Sequence, residues 1–251
     1  MSLKEKLEAN ELTIGSWITL AHSGIAELMT NSGAFDWLVI DMEHSVIELR
    51  DAQEMIQAID LAGGTPLVRL TNNDINQIKR VLDAGAHGIV VPLVNSPSDA
   101  ENAVRATYYA PTGARGTGLA RAQGYGASFN EYVAWLKENG VVIVMIEHFK
   151  AVDALDEILA VPGVDGYIIG PYDLSASMNI TGKFNHPRFK LITKKIKSVA
   201  KKYKISSGFH VIEPKIKTLK KYIKEGYQFL PYSTDTVLFN SAIEKSFKKI
   251  K

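Results

Sequence analysis

The strongest constraint on the fold is a regular alternation of short apolar runs with helical patterns along the whole chain. Eight runs have the length of β-strands, and they cover residues 15–20, 36–41, 66–70, 88–93, 141–147, 165–170, 206–211 and 227–232. The spacing of apolar residues predicts helices over 25–31, 49–61, 75–84, 98–108, 151–159, 187–203 and 214–225, with a last one over 236–247. This alternation is typical of a parallel sheet, and eight units favour a (β/α)8 barrel over an open sheet.

Length and composition agree with one large α/β domain over residues 1–251, because no linker-like or low-complexity stretch divides the chain. No uninterrupted apolar run is long enough to predict a membrane span, and residues 1–12 lack the apolar core of a signal peptide. The absence of cysteine excludes disulfides, a thiolate nucleophile and zinc–thiolate sites. We therefore expect a cytoplasmic protein without a membrane partner.

Charge is unevenly distributed along the chain. Residues 183–251 carry 18 Lys and Arg against 4 Asp and Glu. A nucleic-acid partner is one interpretation of this excess. The lysines recur around apolar residues at helical spacing, however, which favours the solvated faces of amphipathic helices. We predict no nucleic-acid partner.

Two carboxylates end consecutive apolar runs. Glu147 closes VVIVMIE, and Asp173 follows VDGYIIGPYD one strand-and-helix unit later. A strand buried on both faces excludes charge, so both residues should lie at the C-terminal ends of strands, where parallel barrels bind ligands. Carboxylate oxygens suit hard divalent cations such as Mg²⁺ or Mn²⁺. Helix capping by Asp173, or an ion pair of either residue, is the alternative.

Further polar residues end the second and third runs. Asp41, Glu43 and His44 follow the second run, where a histidine can transfer protons near neutral pH. Arg69 interrupts the apolar run PLVRL and needs a partner, either a structural carboxylate or the carboxylate of a substrate. None of the eight runs contains a lysine, so Schiff-base chemistry is not supported and a metal would have to activate a carbonyl.

The segment 110–129 interrupts the alternation, since it is rich in Gly and Ala and contains two arginines. A long loop in a compact domain is usually functional. We expect it to cover the C-terminal face of the barrel, or to shape the substrate pocket of a neighbouring subunit.

These residues resemble the HpcH/HpaI aldolase family of metal-dependent pyruvate aldolases. The matching stretches are FDWLVIDMEHS, PLVRL, RATYYAPTGARGTGLARAQGYG, IEH and VPGVDGYIIGPYDLSASM, which together span most of residues 15–240. The resemblance implies a (β/α)8 barrel in trimers or hexamers, commonly with the last helix exchanged between subunits. It also implies reversible cleavage of a 4-hydroxy-2-oxo acid to pyruvate and an aldehyde with Mg, Mn or Co as cofactor.

The resemblance also assigns roles to individual residues. Glu147 and Asp173 match the metal ligands, and Arg69 matches the arginine that binds pyruvate and steadies its enolate. His44 matches the proton-transfer histidine, Asp83 matches its acidic partner, and Asp41 matches another acidic residue of the site. Backbone amides around Tyr172 and Asp173 would bind the pyruvate carboxylate.

One position departs from the family pattern, in which Gln often stands two residues before the metal-binding Glu. This chain has Met145 there, so a hydrogen-bonding group near the metal is lost. The departure leaves open a citrate-synthase-like or acyl-CoA lyase activity with the same enolate chemistry. A non-catalytic binding protein is the alternative from a different class.

Overall fold

The computed structural model describes residues 1–248, which form a closed barrel of eight parallel strands in chain order. The strands are β1 (Thr13–Ile18), β2 (Trp37–Asp41), β3 (Pro66–Arg69), β4 (Gly88–Val91), β5 (Val141–Ile146), β6 (Gly166–Ile169), β7 (Ser206–Phe209) and β8 (Phe229–Thr234). Pairing of β1 with β8 closes the barrel. The predicted (β/α)8 fold is therefore confirmed.

Twelve α-helices lie among the described residues, and most of them follow a strand in the order expected for a (β/α)8 barrel. They are α1 (Leu3–Glu8), α2 (Ser23–Asn31), α3 (Leu49–Leu61), α4 (Ile75–Asp83), α5 (Pro97–Thr107), α6 (Phe129–Asn139), α7 (Phe149–Asp153), α8 (Leu155–Leu159), α9 (Pro171–Ser177), α10 (Pro187–Tyr203), α11 (Ile216–Lys224) and α12 (Asp235–Phe247). In residues 1–248 no helix combines the length and the apolar character needed to cross a membrane.

Local sequence explains where helices begin. The Asp74 side chain accepts a hydrogen bond of 2.7 Å from the amide of Gln77 and so caps α4. Ser96 and Asp99 form a reciprocal capping box at the start of α5, where Pro97 occupies the first turn. Both caps satisfy amides that a helix leaves without internal partners.

The barrel has two apolar layers. The inner layer fills the barrel and includes Trp17, Val39, Leu67, Met145 and Ile168. The outer layer lies between the strands and the surrounding helices. Alternate residues of a strand face the same side. The inward-facing residues therefore continue from this apolar layer to polar residues at the ends of the strands.

Three features of the sequence prediction need correction. The structure adds α1, α6 and α9, which lie outside the predicted helices, and it divides the predicted helix 151–159 into α7 and α8. The segment 110–129 does not cover the C-terminal face. It follows the end of α5, and its Arg121 contacts the Ala84 carbonyl and Asp60 at the ends of α4 and α3. Because helices run back toward the strand N-termini, this segment packs at the opposite end of the barrel.

Candidate active site

Glu147 lies directly after β5 at the C-terminal mouth of the barrel and is 5% exposed. Its Oε1 accepts a hydrogen bond of 2.6 Å from the amide of Leu93, a residue with a φ of 52°. Burial raises the pKa of Glu147 to about 7, and the nearby carboxylates of Glu43 and Asp173 add to that rise. The left-handed backbone conformation of Leu93 thus directs its amide to one oxygen of the buried Glu147 carboxylate and partly offsets the loss of solvation there.

Asp173 stands in the first turn of α9, and Gly170 separates it from the end of β6. A Cβ placed on Gly170 would lie 3.0 Å from Glu147 Oε2 and 3.6 Å from Asp173 Oδ2. Both carboxylates therefore converge on one point that the missing side chain of Gly170 leaves free. Two converging, hard oxygen donors fit a divalent cation that takes its other ligands from water or substrate. Within residues 1–248 no group of three or more acidic, histidine or cysteine side chains is arranged around a metal position.

Arg69 ends β3 and forms a bidentate pair with Asp41, the last residue of β2. Its Nε donates to Asp41 Oδ1 at 2.8 Å, and its Nη2 donates to Oδ2 at 2.6 Å. The register pairs these two residues directly, and Asp41 is only 2% exposed. The guanidinium also lies 4.4 Å from the ring centroid of Trp17. Asp41 and Trp17 thus fix the plane of the guanidinium, and Nη1 is the nitrogen left for other partners.

Glu43 is the site residue to which sequence reasoning gave no role. Its Oε2 lies 3.1 Å from Arg69 Nη1, but the geometry is not that of a hydrogen bond, and the atom has no hydrogen-bond partner within residues 1–248. Burial raises the pKa of Glu43, Arg69 opposes this, and Asp41 and Asp173 add to it. Glu43 lies two residues after Asp41, and this spacing, which places alternate residues on the same side of an extended chain, could have predicted that it shares the site.

His44 lies at the rim of the mouth. Its side chain is 66% exposed, and Nε2 is 3.8 Å from Glu43 Oε2. Its backbone amide donates to Asp41 Oδ1 at 3.2 Å, so the loop that carries it is tied to the Arg69–Asp41 pair. An imidazole in this place is accessible to a substrate and close to the charged cluster.

Asp83 does not lie beside His44 in this chain, contrary to its expected role as the acidic partner. It is the last residue of α4, so it lies at the strand N-terminal end of the barrel. Its Oδ1 accepts hydrogen bonds from Arg115 Nη2 at 2.6 Å and from Gln123 Nε2 at 3.2 Å. A helix that begins at the mouth ends at the opposite face, which sequence spacing alone did not reveal.

Two other predicted positions lie near the carboxylates. Tyr172 is in the first turn of α9, so its amide and that of Asp173 belong to the positive end of a helix. Tyr172 is 50% exposed. Met145 is 3% exposed and lies one inward step below Glu147, with its sulfur 4.0 Å from Arg69 Nη1. The amide common at this position in the family that the sequence resembles is replaced by a thioether sulfur, which accepts a weak hydrogen bond from Arg69 Nη1.

Comparison with known proteins identifies this arrangement. The model of the HpcH/HpaI aldolase/citrate lyase family matches residues 13–242. The chain belongs to the HpcH/HpaI aldolase/citrate lyase family. It is 34% identical to a 2-keto-3-deoxy-L-rhamnonate aldolase from Escherichia coli and 35% identical to a hydroxypyruvate/pyruvate aldolase from Pseudomonas aeruginosa. Both alignments cover 99% of this chain and 92% of the relative.

A solved structure gives the same result. A crystal structure of an HpcH/HpaI aldolase/citrate lyase family protein from Burkholderia cenocepacia superposes with a TM-score of 0.93 at 30% identity. The match covers 99% of this chain and 98% of the other. Membership of the HpcH/HpaI family confirms the predicted resemblance and makes the chain a lyase of the aldolase type.

Proposed function

We propose that this chain is a divalent-metal-dependent aldolase that reversibly cleaves a 4-hydroxy-2-oxo acid to pyruvate and an aldehyde. The observation that carries the proposal is the convergence of Glu147 and Asp173 beside the Arg69–Asp41 pair. The relatives named as aldolases support the reaction type.

Glu147 and Asp173 would hold the cation, with Mg²⁺, Mn²⁺ or Co²⁺ all compatible with their oxygen donors. A bound divalent cation supplies Lewis acidity to the 2-oxo group of a substrate. The raised pKa of Glu147 is consistent with this role, because a cation replaces the proton that burial otherwise favours.

Arg69 would place positive charge next to the oxygen on which negative charge develops during cleavage. Asp41 acts as a positioning residue, since it holds two of the guanidinium nitrogens and directs Nη1 toward the mouth. The amides of Tyr172 and Asp173, at the start of α9, would bind the carboxylate of the 2-oxo acid.

His44 would accept the proton of the 4-hydroxyl group and return it in the reverse direction. For Asp83 to assist His44, it would have to come from a second copy of the chain, and the same applies to the segment 110–129. A homo-oligomer, trimeric or hexameric, is thus part of the proposal. An exposed apolar stripe on α12, the helix that we expect to be exchanged, supports the homo-oligomer; it consists of Phe239, Ile243 and Phe247.

The remaining expectations stay predictions. We infer that residues 1–251 act as one domain, that the protein works in the cytoplasm on small molecules, and that it has neither nucleic-acid nor membrane partners. A citrate-synthase-like or acyl-CoA lyase activity is the second candidate, and Met145 in the place of the usual Gln favours it.

The deciding test is an assay of pyruvate release from a panel of 4-hydroxy-2-oxo acids with Mg²⁺, and again after chelation with EDTA. We expect pyruvate only when the metal is present. If no member of the panel yields metal-dependent pyruvate, the aldolase proposal is wrong, and release of CoA from acyl-CoA thioesters would favour the second candidate.

A further inference from the structure

His210 faces the interior of the barrel mouth and takes no part in the proposed cleavage reaction. Continuing the β6–β7 register beyond the Ile169–Phe209 pair sets His210 opposite Gly170. Continuing the β5–β6 register beyond the Ile146–Ile169 pair sets Glu147 opposite the same glycine. Because residues in one row of a parallel sheet point to the same side, His210 and Glu147 flank a position without a side chain.

The surroundings of His210 keep its ring neutral. Its centroid lies 5.4 Å from that of Trp17, whose ring also contacts Arg69. Burial, followed by the charge of Arg69, lowers the pKa of His210 to about 3, while the Ser233 backbone and Asp41 act in the opposite direction. A neutral imidazole has one N–H donor and one bare nitrogen acceptor.

Two polar atoms in this corner of the mouth lack partners. Within residues 1–248, neither His210 Nε2 nor Ser233 Oγ has a hydrogen-bond partner, and both are shielded from solvent. Ser233 is an inward residue near the end of β8 and has a φ of 61°. Buried polar atoms are almost always paired in folded proteins, so an unpaired set beside the reaction centre is suited to a polar group of a ligand.

The ring can reach such a group without a backbone change. His210 as a residue is only half-buried, so one part of it is open to the mouth although Nε2 is not. Rotation about the Cβ–Cγ bond, which has two broad minima, would exchange the shielded and open edges of the imidazole and would release its contact with the Ser233 backbone.

We propose that His210, with Ser233 beside it, is a specificity-determining residue that binds a hydroxyl group on the carbon chain of the substrate. This inference rests on the aldolase function proposed above. A hydroxyl group is favoured over a carboxylate because the ring is uncharged, whereas the amides at the start of α9 are the proposed partners of the carboxylate. A hydroxyl both donates and accepts, so it matches either tautomer of the ring and the Ser233 hydroxyl.

The hydroxyl could belong to the 2-oxo-acid donor or to the aldehyde acceptor, and two arms of one experiment separate these sources. With Mg²⁺ present, kcat/KM is measured for hydroxypyruvate against pyruvate with one fixed aldehyde, and for glyceraldehyde against propanal with pyruvate fixed. We expect wild type to prefer the hydroxylated member of one pair by about tenfold, the effect of one neutral hydrogen bond. In His210→Leu that ratio should fall to about one, whereas His210→Asn should keep part of the preference.

Ser206→Ala is the matched control, since Ser206 is a buried residue of the same strand whose hydroxyl also lacks a partner within residues 1–248. It lies two inward steps below His210 and should leave both ratios unchanged. As a readout besides activity, hydroxypyruvate should shift the ¹⁵N signal of the His210 ring beyond the change that pyruvate causes, if the donor carries the hydroxyl.

The outcomes are distinguishable. If wild type is active but His210→Leu keeps the wild-type ratio in both arms, the inference is wrong and the aldolase function stands. If wild type shows no metal-dependent activity in either arm, the proposed function fails and the inference falls with it. Should His210→Leu fail to fold, the ratio in His210→Asn decides, and a ratio equal to that of wild type in both arms overturns the inference.

Discussion

The two ends of the barrel bury charged groups in opposite ways. At the strand N-terminal end, Lys4 Nζ lies 3.4 Å from Asp165 Oδ1 and donates to the Tyr108 hydroxyl at 3.0 Å. The other oxygen of Asp165 accepts from the amide of Val142 at 2.8 Å. This network joins α1 to the barrel, and each charge has a partner.

At the mouth, carboxylates outnumber the cations. Asp41, Glu43, Glu147 and Asp173 lie there with the guanidinium of Arg69, which pairs with Asp41 and Glu43. Glu43 Oε2 has no hydrogen-bond partner within residues 1–248, and burial raises the pKa of Glu147 to about 7. At the strand N-terminal end each of these charges thus has a partner within the chain, although burial still raises the pKa of Asp165 to about 6. The mouth has an excess of negative charge that a bound cation would neutralise. These carboxylates lower the stability of the metal-free fold and at the same time provide the proposed binding site.

Glu147→Gln should have the largest effect, because it removes a proposed metal ligand from the mouth and keeps the shape of the side chain. We expect kcat/KM to fall by roughly a thousandfold or more, since a metal contributes several kcal/mol to the transition state. Isothermal titration calorimetry with Mg²⁺ should show weaker binding. The metal-free variant should unfold at the same urea concentration as wild type or at a higher one. Undiminished metal binding would contradict the assignment of Glu147.

Arg69→Ala removes the guanidinium that pairs with Asp41 and Glu43 at the mouth. We expect a loss of roughly 2–5 kcal/mol in transition-state binding, as for one partner of a buried charge pair, seen in kcat as well as in KM. The free energy of unfolding should also fall, because Asp41 is left buried without its partner. Arg69→Ala combined with Asp41→Asn is the control, and it should recover stability but not activity. A rise in KM alone would reduce Arg69 to a binding residue.

Much of the mouth could be predicted from the sequence, since it depends on local rules. A charged residue that ends an apolar strand in a (β/α)8 pattern lies at the mouth, and this rule places Asp41, Arg69 and Glu147 there. The bidentate partner of Arg69 required the register between β2 and β3, which no spacing in the sequence specifies.

Asp83 and the segment 110–129 could not be placed in the same way. Asp83 ends α4 and the segment 110–129 follows α5, so their distance from the mouth depends on where each helix ends in space. The contact of Asp83 with Arg115 joins residues 32 positions apart, and Arg115 lies in a segment without helical or strand periodicity. Lys4 and Asp165 pair across a still larger separation, and the partner of Asp165 is evident only once α1 is placed beside it.

Lys4→Met tests the opposite end of the barrel. Because it leaves Asp165 without its cation, we expect a loss of about 3 kcal/mol in the free energy of unfolding, measured in urea. Specific activity of the folded protein should stay the same, since the network lies far from the mouth. Lys6→Met is the matched control. Its pair with Asp36 is about one-third exposed on each side, so the loss should stay below about 1 kcal/mol. Equal losses in the two variants would contradict the contrast between buried and surface pairs.

The smallest predicted effect is a pH dependence that belongs to the mouth. The pKa of Glu147 is raised to about 7 from an ordinary value of 4.5, so the metal-free folded state binds a proton more readily than the unfolded chain. The contribution of Glu147 to the free energy of unfolding of the metal-free protein is therefore highest below pH 4.5 and declines as the pH rises to about 7. Mg²⁺ must displace the same proton, so its affinity should fall about tenfold for each pH unit below 7 and level off above it.

Calorimetry at pH 6, 7 and 8 measures this affinity, and urea unfolding of metal-free wild type and Glu147→Gln over the same range measures the stability. Asp165, whose pKa burial raises to about 6, contributes to the decline in both proteins. The difference between them therefore isolates Glu147. A metal affinity that is constant from pH 6 to 8 would contradict this prediction. It would mean that Glu147 is already ionised in the metal-free protein and that no proton offsets the excess negative charge at the mouth.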